Sequence, residues 1–401
     1  MVHMNFVDST RQYEAWLSTH MRLDEAGLER KHHEMARDPF RFFRATFYRW
    51  AQTWPKVCRE LNEAPEVLAV GDLHVENFGT WRDEEGRLVW GVNDFDEACE
   101  IPYTNDLVRL ATSAKLAIDL DYLQIGYPEA CEKILDGYDD TIRKCLREGR
   151  EKVRPIVLAE RNEWLYELAL KQVGDPDDFW GKFEDPSKVR DVDEAEIPRE
   201  VKRAMIDLLP GDVQDLAYLT WNRRHAGLGS LGRQRFVAVA EWKGGKVARE
   251  AKSLCPSAWH WAGGREGGPV RYEDALDQAV RCPDPCVRVL RHPDLSGKVE
   301  DIWFVRRLSA DCIKVELDSV PDRKEDELFH AMGRETANIH IGAGESAVRQ
   351  VKRDLDRRGG HWLEKAAARM SEETKQEWEE WVEHLGVRAG HHHRNGNGRH
   401  H

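Results

Sequence analysis

A chain of 401 residues is long enough for two ordinary domains or one large two-lobed domain. Apolar residues make up 41% of it and charged residues 33%, which is typical of a globular protein and excludes a disordered or fibrous one. The formal net charge of −13 argues against a general nucleic-acid binder, because such a protein presents a basic face. No apolar run approaches the ~18 residues that cross a bilayer, and the opening MVHMNFVDST lacks the apolar stretch of a secretory signal, so we expect a cytoplasmic protein without membrane contact.

The first half of the chain is predicted to be mostly helical. Apolar and aromatic residues recur at three-to-four spacing from residue 10 to 54, where Pro39 suits the first turn of a helix. The same periodicity predicts helices over 105–148 and 157–173. The acidic stretch 174–198 lacks this pattern and is predicted to be a loop.

Two strands interrupt these helices. EVLAV at 66–70 predicts a short buried strand, and RLVWGVNDF at 87–95 predicts a second one. Residues 83–86 are typical of a turn, so we expect the two strands to pair across it.

From residue 213 the pattern changes to β-forming residues with glycines at turn positions. VAVAEW and KVAREA flank a Lys-Gly-Gly turn and predict a hairpin over 237–251. DIWFVRRL at 301–308 and CIKVEL at 312–317 predict another strand pair, and a helix is predicted over 326–340. Strands that are segregated from helices along the chain indicate an α+β fold. The pattern divides the chain into the segments 1–212, 213–320, 321–390 and the histidine-rich tail 391–401.

A glycine-rich segment, GLGSLG at 227–232, matches the pattern GxGxxG. In a dinucleotide-binding fold such glycines lead into a helix, whereas here they lead into RFVAVAEW, which predicts a strand. Strand, glycine loop and strand is the order of a kinase-type loop, whose backbone amides cover a triphosphate. The alternative is an ordinary glycine-rich hairpin turn. The candidate phosphate-binding residues of the loop are Gly227, Gly229, Ser230 and Gly232.

A kinase-type loop also needs a cation on the next strand to neutralise the phosphates. The segment KVAREAKSL supplies Arg249 and Lys252, which would face opposite sides of an ideal strand. The compact ammonium of Lys252 suits this role better, and Arg249 stays open as the alternative.

An acidic segment provides the second candidate site. Asp72 and Asn77 have the D-x-x-x-x-N spacing of a kinase catalytic loop, in which the aspartate accepts the hydroxyl proton and the asparagine holds Mg²⁺. Asp94 follows at the end of a predicted strand, where such an enzyme places its metal-holding aspartate. Mg²⁺ prefers hard oxygen ligands. We therefore predict catalytic roles for Asp72 and Asn77 and a magnesium site at Asn77 and Asp94, assisted by Asp96.

Two other interpretations remain open for this segment. The pattern GDxH also occurs in binuclear metallophosphoesterases, which need further histidine blocks such as GNH, and the sequence contains no GNH. A β-hairpin with capped polar ends would explain two of the polar residues, but not all of them beside a glycine loop. His74 is predicted to orient its neighbours rather than to act as a base.

Together these segments resemble a known family. GDLHVENFG and NDFDEA, followed by NDLVRLATS, AGLGSLGRQRF and REAK, resemble the bacterial domain-of-unknown-function family 2252, as does ARDPFRFFRATFYRW near the start. The resemblance extends over most of the chain, from about residue 30 to 345. The pair of GDxHxxN and DFD is also similar to aminoglycoside phosphotransferases and choline kinases of the protein-kinase-like superfamily. The resemblance implies a two-lobed fold that binds ATP and Mg²⁺.

The order of the motifs differs from that of an ordinary kinase, in which the glycine loop precedes the catalytic loop. Here the catalytic loop comes about 155 residues before the glycine loop. MGRETANIHIG at 332–342 resembles the helix that normally leads into the catalytic aspartate. We therefore predict a circularly permuted kinase-like fold, in which 1–212 and 321–390 form the large lobe and 213–320 forms the small, nucleotide-binding lobe.

The resemblance implies roles for three further segments. Asp106 in NDLVRL would brace the backbone of the catalytic loop, although an acid at a helix N-terminus can also serve only the helix dipole. Residues 304–308 would approach the hinge, where backbone groups receive adenine. Glu273 would pair with the phosphate-binding cation.

The sequence thus predicts a Mg²⁺- and ATP-dependent phosphotransferase acting on a hydroxyl or amine of a small molecule or protein. The alternatives are a nucleotide-binding pseudokinase that serves as an interaction module, and transfer of AMP instead of phosphate. The acidity of 174–198 and of the helices after Asn105 favours a cationic acceptor.

Overall fold

A computed structural model describes residues 5–159, 163–173, 176–211, 219–293, 300–312, 314, 317, 320 and 324–386. The α-helices of these ranges are α1 (Phe6–Ser18), α2 (Glu25–Met35), α3 (Pro39–Ala45), α4 (Phe47–Val57), α5 (Tyr103–Asp119), α6 (Tyr127–Glu148), α7 (Glu163–Val173), α8 (Pro176–Gly181), α9 (Arg199–Asp207), α10 (Ala258–Ala262), α11 (Tyr272–Gln278), α12 (Glu325–His340), α13 (Glu345–Arg357) and α14 (Trp362–Leu385). None of these helices is long and apolar enough to cross a bilayer.

The strands of the same ranges are β1 (Glu66–Ala69), β2 (Phe78–Arg82), β3 (Leu88–Val92), β4 (Cys99–Pro102), β5 (Ile156–Val157), β6 (Val189–Asp191), β7 (Leu219–Arg224), β8 (Arg235–Trp242), β9 (Gly245–Leu254), β10 (Arg288–Pro293) and β11 (Glu300–Leu308). They form sheets of two, three and six strands. The mixture of helices and segregated strands confirms the predicted α+β class.

The N-terminal helices pack through aromatic side chains, as their periodicity predicts. Pro39 occupies the first turn of α3, and the Asp38 side chain caps that helix by accepting a hydrogen bond from the backbone N–H of Arg41 at 2.8 Å. The rings of Tyr13 and Tyr48 stack with their centroids 4.4 Å apart, which joins α1 to α4. This helical layer forms one wall of the candidate site.

The largest sheet contains six antiparallel strands in the order β10-β11-β9-β8-β7-β6. Strands β8 and β9 form the predicted hairpin, in which Trp242 pairs with Gly245. Lys243 and Gly244 have φ angles of +47° and +82°, as a two-residue type I′ turn requires. Residues 227–232 connect β7 to β8, so the predicted order of strand, glycine loop and strand is confirmed.

The pairing predicted for the first two strands is wrong. β1 pairs with β4, with Val67 opposite Ile101, whereas β3 pairs with β2 across the turn at 83–86. A short turn joins the strands that directly flank it, and the segment FGTWR, for which no strand was predicted, is the strand that reaches this turn. The polar segment 70–77 therefore lies between two small sheets rather than beside a single hairpin.

Two other segments differ from prediction. Both edges of β11 are occupied, by β10 and by β9, so β11 does not pair with 312–317. Half of 312–317 lies outside the described residues, and its Lys314 forms a single bridge to Gly79 of β2. The stretch 174–198, predicted as a loop, contains α8 and β6 in its described part.

Helix α12 lies at the centre of the helical part of the molecule. The predicted apolar face of this helix is buried, including Leu328, Met332 and Ile339. It packs closely along α6, because Gly333 and Gly137 stand where a Cβ atom would overlap the backbone of the partner helix. The end of α12 thereby reaches the candidate site.

Candidate functional site

The polar segment 70–77 leaves β1 and rests on the first turn of α5. Asp106 in that turn accepts hydrogen bonds from the backbone N–H groups of Val70 at 2.8 Å and Gly71 at 2.9 Å. Nε2 of His340, the last residue of α12, lies 3.1 Å from the same carboxylate. All four residues are buried. This geometry agrees with the bracing role predicted for Asp106.

Asp72 faces a buried guanidinium. Nε of Arg109 lies 2.9 Å from Oδ1 of Asp72, and a second nitrogen of the same guanidinium contacts the same oxygen. The Arg109 side chain is fully buried and lies 4.1 Å from the centre of the Phe43 ring. Burial lowers the pKa of this guanidinium, and the Asp72 charge counteracts the effect. Oδ2 of Asp72 receives no hydrogen bond from the described residues, so it is available to a ligand.

Asn77 joins the two acidic segments. Its Nδ2 donates to the backbone carbonyl oxygens of Asp72 at 3.1 Å and of Asp94 at 3.0 Å. The side chain is 2% exposed, and its Oδ1 has no hydrogen-bond partner within the described part of the chain. Buried amide oxygens are normally satisfied, so a cation at this position would supply the missing partner.

His74 lies on the same segment. Its Nδ1 accepts a hydrogen bond from the backbone N–H of Glu76 at 3.2 Å. Burial lowers the pKa of the imidazole well below its ordinary value, and the positive charge of Arg44 lowers it further. A neutral, buried imidazole that shapes the loop agrees with the orienting role predicted for His74.

Lys252 lies between the two aspartates of the NDFDEA segment. Its Nζ is 2.9 Å from Oδ1 of Asp94 and 2.6 Å from Oδ1 of Asp96. Arg233, which follows the glycine loop, approaches the same segment and donates to Glu97 at 2.8 Å. The fold therefore brings the acidic segment and the preferred cation together.

The carboxyl groups of Asp94 and Asp96 influence each other. Burial raises the pKa of Asp96, and the neighbouring charge of Asp94 raises it further. Burial acts in the same direction on Asp94, but the Lys252 ammonium and a hydrogen bond from Asp96 outweigh it and hold the pKa of Asp94 below its ordinary range. Asp94 is therefore the member of the pair that stays ionised, as a metal ligand must.

The glycine loop closes over these groups. A Cβ atom at Gly229 would lie 3.4 Å from Oδ2 of Asp72, and Gly227 has a φ of +77°, which favours glycine. The cleft beneath the loop encloses about 50 Å³, whereas small-molecule sites typically enclose ~300–1,000 Å³. A ligand of nucleotide size would fit this cleft only if the loop lifted. The predicted site residues that line the cleft are Asp72, Asn77, Asp94, Asp96, Gly227, Gly229 and Ser230.

Arg249 does not reach the cleft. It projects from the other face of β9, because residues three apart on a strand point to opposite faces. Its Nε donates to the backbone carbonyl oxygen of Leu208 at 2.9 Å, just after α9. Lys252 is thus the one of the two cations that lies beside the acids, and its binding of phosphate stays a prediction.

Two more predicted residues lie away from these groups. Gly232 has a φ of +91° and packs against Leu28 of α2 rather than facing the cleft. Glu273 is exposed on α11, and Asp94 and Asp96 take the place expected for it beside Lys252.

Several cations near the cleft escaped the sequence analysis. Lys31, Arg44 and Lys314 line it, and Arg44 pairs with Glu76 at 2.5 Å. The Lys314 residue is exposed, yet the protein atoms around its ammonium and then the Arg44 charge lower its pKa to about 8. Of the cations near the site, only Arg109 could have been predicted from sequence, because a basic residue within an apolar helical run indicates a buried ion pair.

Residues 22–173 match the sequence profile of a bacterial family described as "Uncharacterized protein conserved in bacteria (DUF2252)". This DUF2252 segment is similar to that family and makes up 152 of the 401 residues. The DUF2252 segment contains Asp72, Asn77, Asp94 and Asp96, whereas Lys252 and the glycine loop lie beyond the matched range. No curated protein and no solved structure matches the chain.

The oxygen atoms of the DUF2252 segment fit Mg²⁺. The carboxylates of Asp94 and Asp96 and Oδ1 of Asn77 are hard donors, and Mg²⁺ needs few protein ligands because water and phosphate oxygens complete its shell. Within the described ranges, no three His, Cys, Asp or Glu side chains converge as metal ligands. The predicted set contains only two carboxylates and an amide, so it would need phosphate or water oxygens to complete a Mg²⁺ shell.

Proposed function

We propose that the chain is a Mg²⁺- and ATP-dependent phosphotransferase with a circularly permuted, kinase-like fold. The observation that carries the proposal is the ion pairing of Lys252 with Asp94 and Asp96. In kinases, a lysine beyond the glycine loop and an aspartate beyond the catalytic loop hold the nucleotide phosphates and the metal. Two motifs that are read separately in the sequence meet here at one cleft.

Asp72 receives the acceptor in this proposal. Its free Oδ2 accepts a hydrogen bond from the acceptor hydroxyl or amine and takes the proton as the acceptor atom bonds to the γ-phosphorus. The bond from that phosphorus to the leaving oxygen breaks, and ADP departs with the electron pair. Arg109 holds the other oxygen of Asp72 and keeps the carboxylate facing the cleft.

The phosphates bind along the acidic segments, with the terminal phosphate nearest Asp72. Mg²⁺ would neutralise charge on the β- and γ-phosphates, held by Oδ1 of Asn77 and by Asp94 with the help of Asp96. Lys252 moves from the carboxylates to the phosphates when the metal takes its place. The backbone N–H groups of 227–230 cover the triphosphate from above.

The base of the nucleotide lies near residues 304–308. A small cavity of about 40 Å³ adjoins this strand and is lined by Tyr272, Phe304 and Arg306 among others. Nζ of Lys252 lies 5.5 Å from the centre of the Phe304 ring, so this cavity is next to the proposed phosphate site. Aromatic walls suit a flat base.

Permutation accounts for the order of the motifs. The sequence of α12 resembles the helix that leads into the catalytic aspartate of an ordinary kinase. Its last residue, His340, contacts Asp106 directly beneath the segment that carries Asp72. The two ends that the cut would create therefore lie close together in space, as they would if the arrangement of an unpermuted kinase were retained.

The acceptor has a separate cavity available. A space of about 500 Å³ adjoins the cleft and shares Arg44, Gly227 and Leu228 with it as lining residues. This volume is typical of small-molecule sites, ~300–1,000 Å³. Arg44 neutralises Glu76 in this lining, so the cavity adds nothing to the expectation of a cationic acceptor.

The proposal is tested with ATP labelled in the γ- or the α-phosphate, incubated with Mg²⁺ and pooled metabolites and followed by mass spectrometry. Transfer of the γ-label supports a phosphotransferase, and transfer of the α-label replaces it with AMP transfer. Nucleotide binding without either transfer indicates a pseudokinase. A chain that binds no nucleotide in the presence of Mg²⁺ contradicts the proposal.

Two substitutions test the roles proposed for Asp72 and Asp94. Asp72→Asn should retain Mg·ATP binding but lose turnover by about 10²–10⁴-fold, the usual contribution of a positioned base. Asp94→Ala should lose the metal-dependent part of nucleotide binding. Asp136→Ala, on the exposed side of α6, is the matched control and should behave as the parent. An Asp94→Ala variant that turns over ATP at the parental rate would rule out the metal site.

A further inference from the structure

Lys31 is a buried ammonium beside the glycine loop. It projects from α2, is 6% exposed, and lines the same cleft as Asp72. Its Nζ donates to the backbone carbonyl oxygen of Gly229 at 3.3 Å, which is a long hydrogen bond, and lies 5.7 Å from the centre of the Tyr48 ring. These weak contacts are its only partners among the described residues.

The other buried cations around the cleft differ from Lys31 in one respect. Each of them pairs with a carboxylate: Lys252 with Asp94, Arg109 with Asp72, and Arg233 with Glu97. Lys31 forms no such pair within the described ranges. Burial lowers the pKa of its ammonium to about 8, and nearby negative charges, Glu14 first, only partly offset this. An unpaired buried ammonium is costly, and an anionic ligand would complete it.

The position of Lys31 indicates which anion it meets. Gly229 lies between the ammonium and Oδ2 of Asp72, because its carbonyl oxygen contacts Lys31 while a Cβ atom there would lie 3.4 Å from that carboxylate oxygen. The phosphoryl group that is transferred must lie next to Asp72, since the acceptor does. When the loop lifts to admit the nucleotide, the carbonyl of Gly229 leaves the ammonium and a phosphate oxygen can replace it.

We propose that Lys31 binds the terminal phosphate of the nucleotide. The inference rests on the proposed function and adds a residue from a helix outside the motifs on which that function is based. Lys31 neutralises charge on the transferred phosphoryl group, in addition to Lys252 and the metal. Because the carbonyl oxygen of Gly229 contacts Lys31 when the loop is closed, the closed loop and the nucleotide compete for the same ammonium.

The test compares affinities for ATP and ADP in the presence of Mg²⁺, since ADP lacks the terminal phosphate. Lys31→Met removes the charge but keeps an unbranched side chain of similar length, and Lys31→Arg keeps the charge. Lys352→Met is the matched control, because Lys352 is partly buried and ion-paired on α13, away from the cleft. Unfolding midpoints of all variants without nucleotide are measured beside the titrations.

Lys31→Met should weaken ATP binding by about tenfold or more, as expected for the loss of one charge-assisted hydrogen bond. It should change ADP binding less than twofold, Lys31→Arg should recover most of the loss, and the control should bind both nucleotides as the parent does. Equal losses for ATP and ADP, or unchanged ATP binding, overturn the inference. Tighter binding of both nucleotides would also overturn it, because it would mean that Lys31 only holds the glycine loop closed. If the parent itself binds neither nucleotide, the proposed function fails, a result distinct from the others.

Discussion

Arg109 contacts a single oxygen of Asp72 through two of its nitrogens, and Nε approaches that oxygen to 2.9 Å. The guanidinium is buried among aromatic rings, so it cannot turn towards water. One oxygen of Asp72 is thereby fixed and the other faces the cleft. A catalytic carboxylate held in this way has a defined orientation before any acceptor arrives.

Arg109→Lys is the first prediction. The lysine keeps the charge but has neither the planar fork nor the stacking surface, so Asp72 should lose its fixed orientation. We expect kcat to fall by roughly tenfold to a hundredfold with a smaller change in KM for ATP, because the loss affects positioning of the acceptor. Arg143→Lys, exposed on α6, is the control. Equal changes in kcat and KM, with kcat/KM unaltered, would contradict the positioning role.

Lys252→Met and Arg249→Met form a second, paired prediction. Both cations lie on β9, but only Lys252 faces the aspartates, whereas Arg249 holds the carbonyl of Leu208. Lys252→Met should weaken Mg·ATP binding by about tenfold or more. Arg249→Met should lower the unfolding midpoint while leaving nucleotide affinity within twofold. The reverse pattern would mean that Arg249 is the phosphate-binding cation.

The third prediction concerns Gly232. Its φ of +91° is unfavourable for other residues, and a Cβ atom there would overlap the Leu28 side chain. Gly232→Ala should therefore lower the free energy of unfolding by about 1–3 kcal/mol. Gly245→Ala is the control, because the nearest atom to a Cβ there is 3.9 Å away. Chemical denaturation measures the free energy of unfolding of both variants. Equal losses in the two variants would contradict the argument from backbone conformation.

Glu335 gives the fourth prediction. Burial in α12 raises its pKa to about 7 from an ordinary value near 4.5, and the hydrogen bond from Asn338 only partly offsets this. Between these two pH values the folded chain keeps a proton that the unfolded chain has released, so the free energy of unfolding falls as the pH rises from about 4.5 to 7. Glu335→Gln removes this titration and should gain about 2 kcal/mol relative to the parent between pH 5 and pH 8.

Denaturation of Glu335→Gln and of the parent at several pH values measures this difference. Glu345→Gln, exposed on α13, accounts for the effect of the substitution itself. A stability difference that is constant over the pH range would show that Glu335 titrates alike in the folded and unfolded chain.

Asp106 gives the fifth prediction. Removing its carboxylate leaves the N–H groups of Val70 and Gly71 and the ring of His340 without their acceptor in a buried position. Asp106→Ala should lower the free energy of unfolding by about 2–4 kcal/mol. It should also lower turnover in molecules that remain folded, because the backbone that carries Asp72 loses its support. If Asp106→Ala has parental stability, the carboxylate serves only the helix dipole.

The sequence predicts the local features of the site best. Asp72 and Asn77 lie within one short segment, so their spacing alone fixes their relative position. Lys252 could be ranked above Arg249 only by its chemistry, since the face of β9 that meets the aspartates depends on packing against distant elements. The partner predicted for β1 was wrong for a similar reason. Strands β3 and β4 compete to pair with β1, and only tertiary structure decides between them.

Lys31 marks the limit of prediction from sequence. Its surroundings in α2, with charged residues on both sides, are those of a solvated helix surface. It is buried because the glycine loop, almost 200 residues further along the chain, folds over it. No local periodicity contains that information.

The contact between Asp106 and His340 also determines when the cleft can assemble during synthesis of the chain. The two residues are 234 positions apart, so at ~5–20 residues per second a ribosome makes the second about 10–50 s after the first. During this interval the emerging chain already contains Asp72, Asn77 and Asp94, but not the histidine beneath them. Assembly of the cleft must therefore wait until most of the polypeptide has been synthesised, and a chain released early would carry the acidic segment without its support.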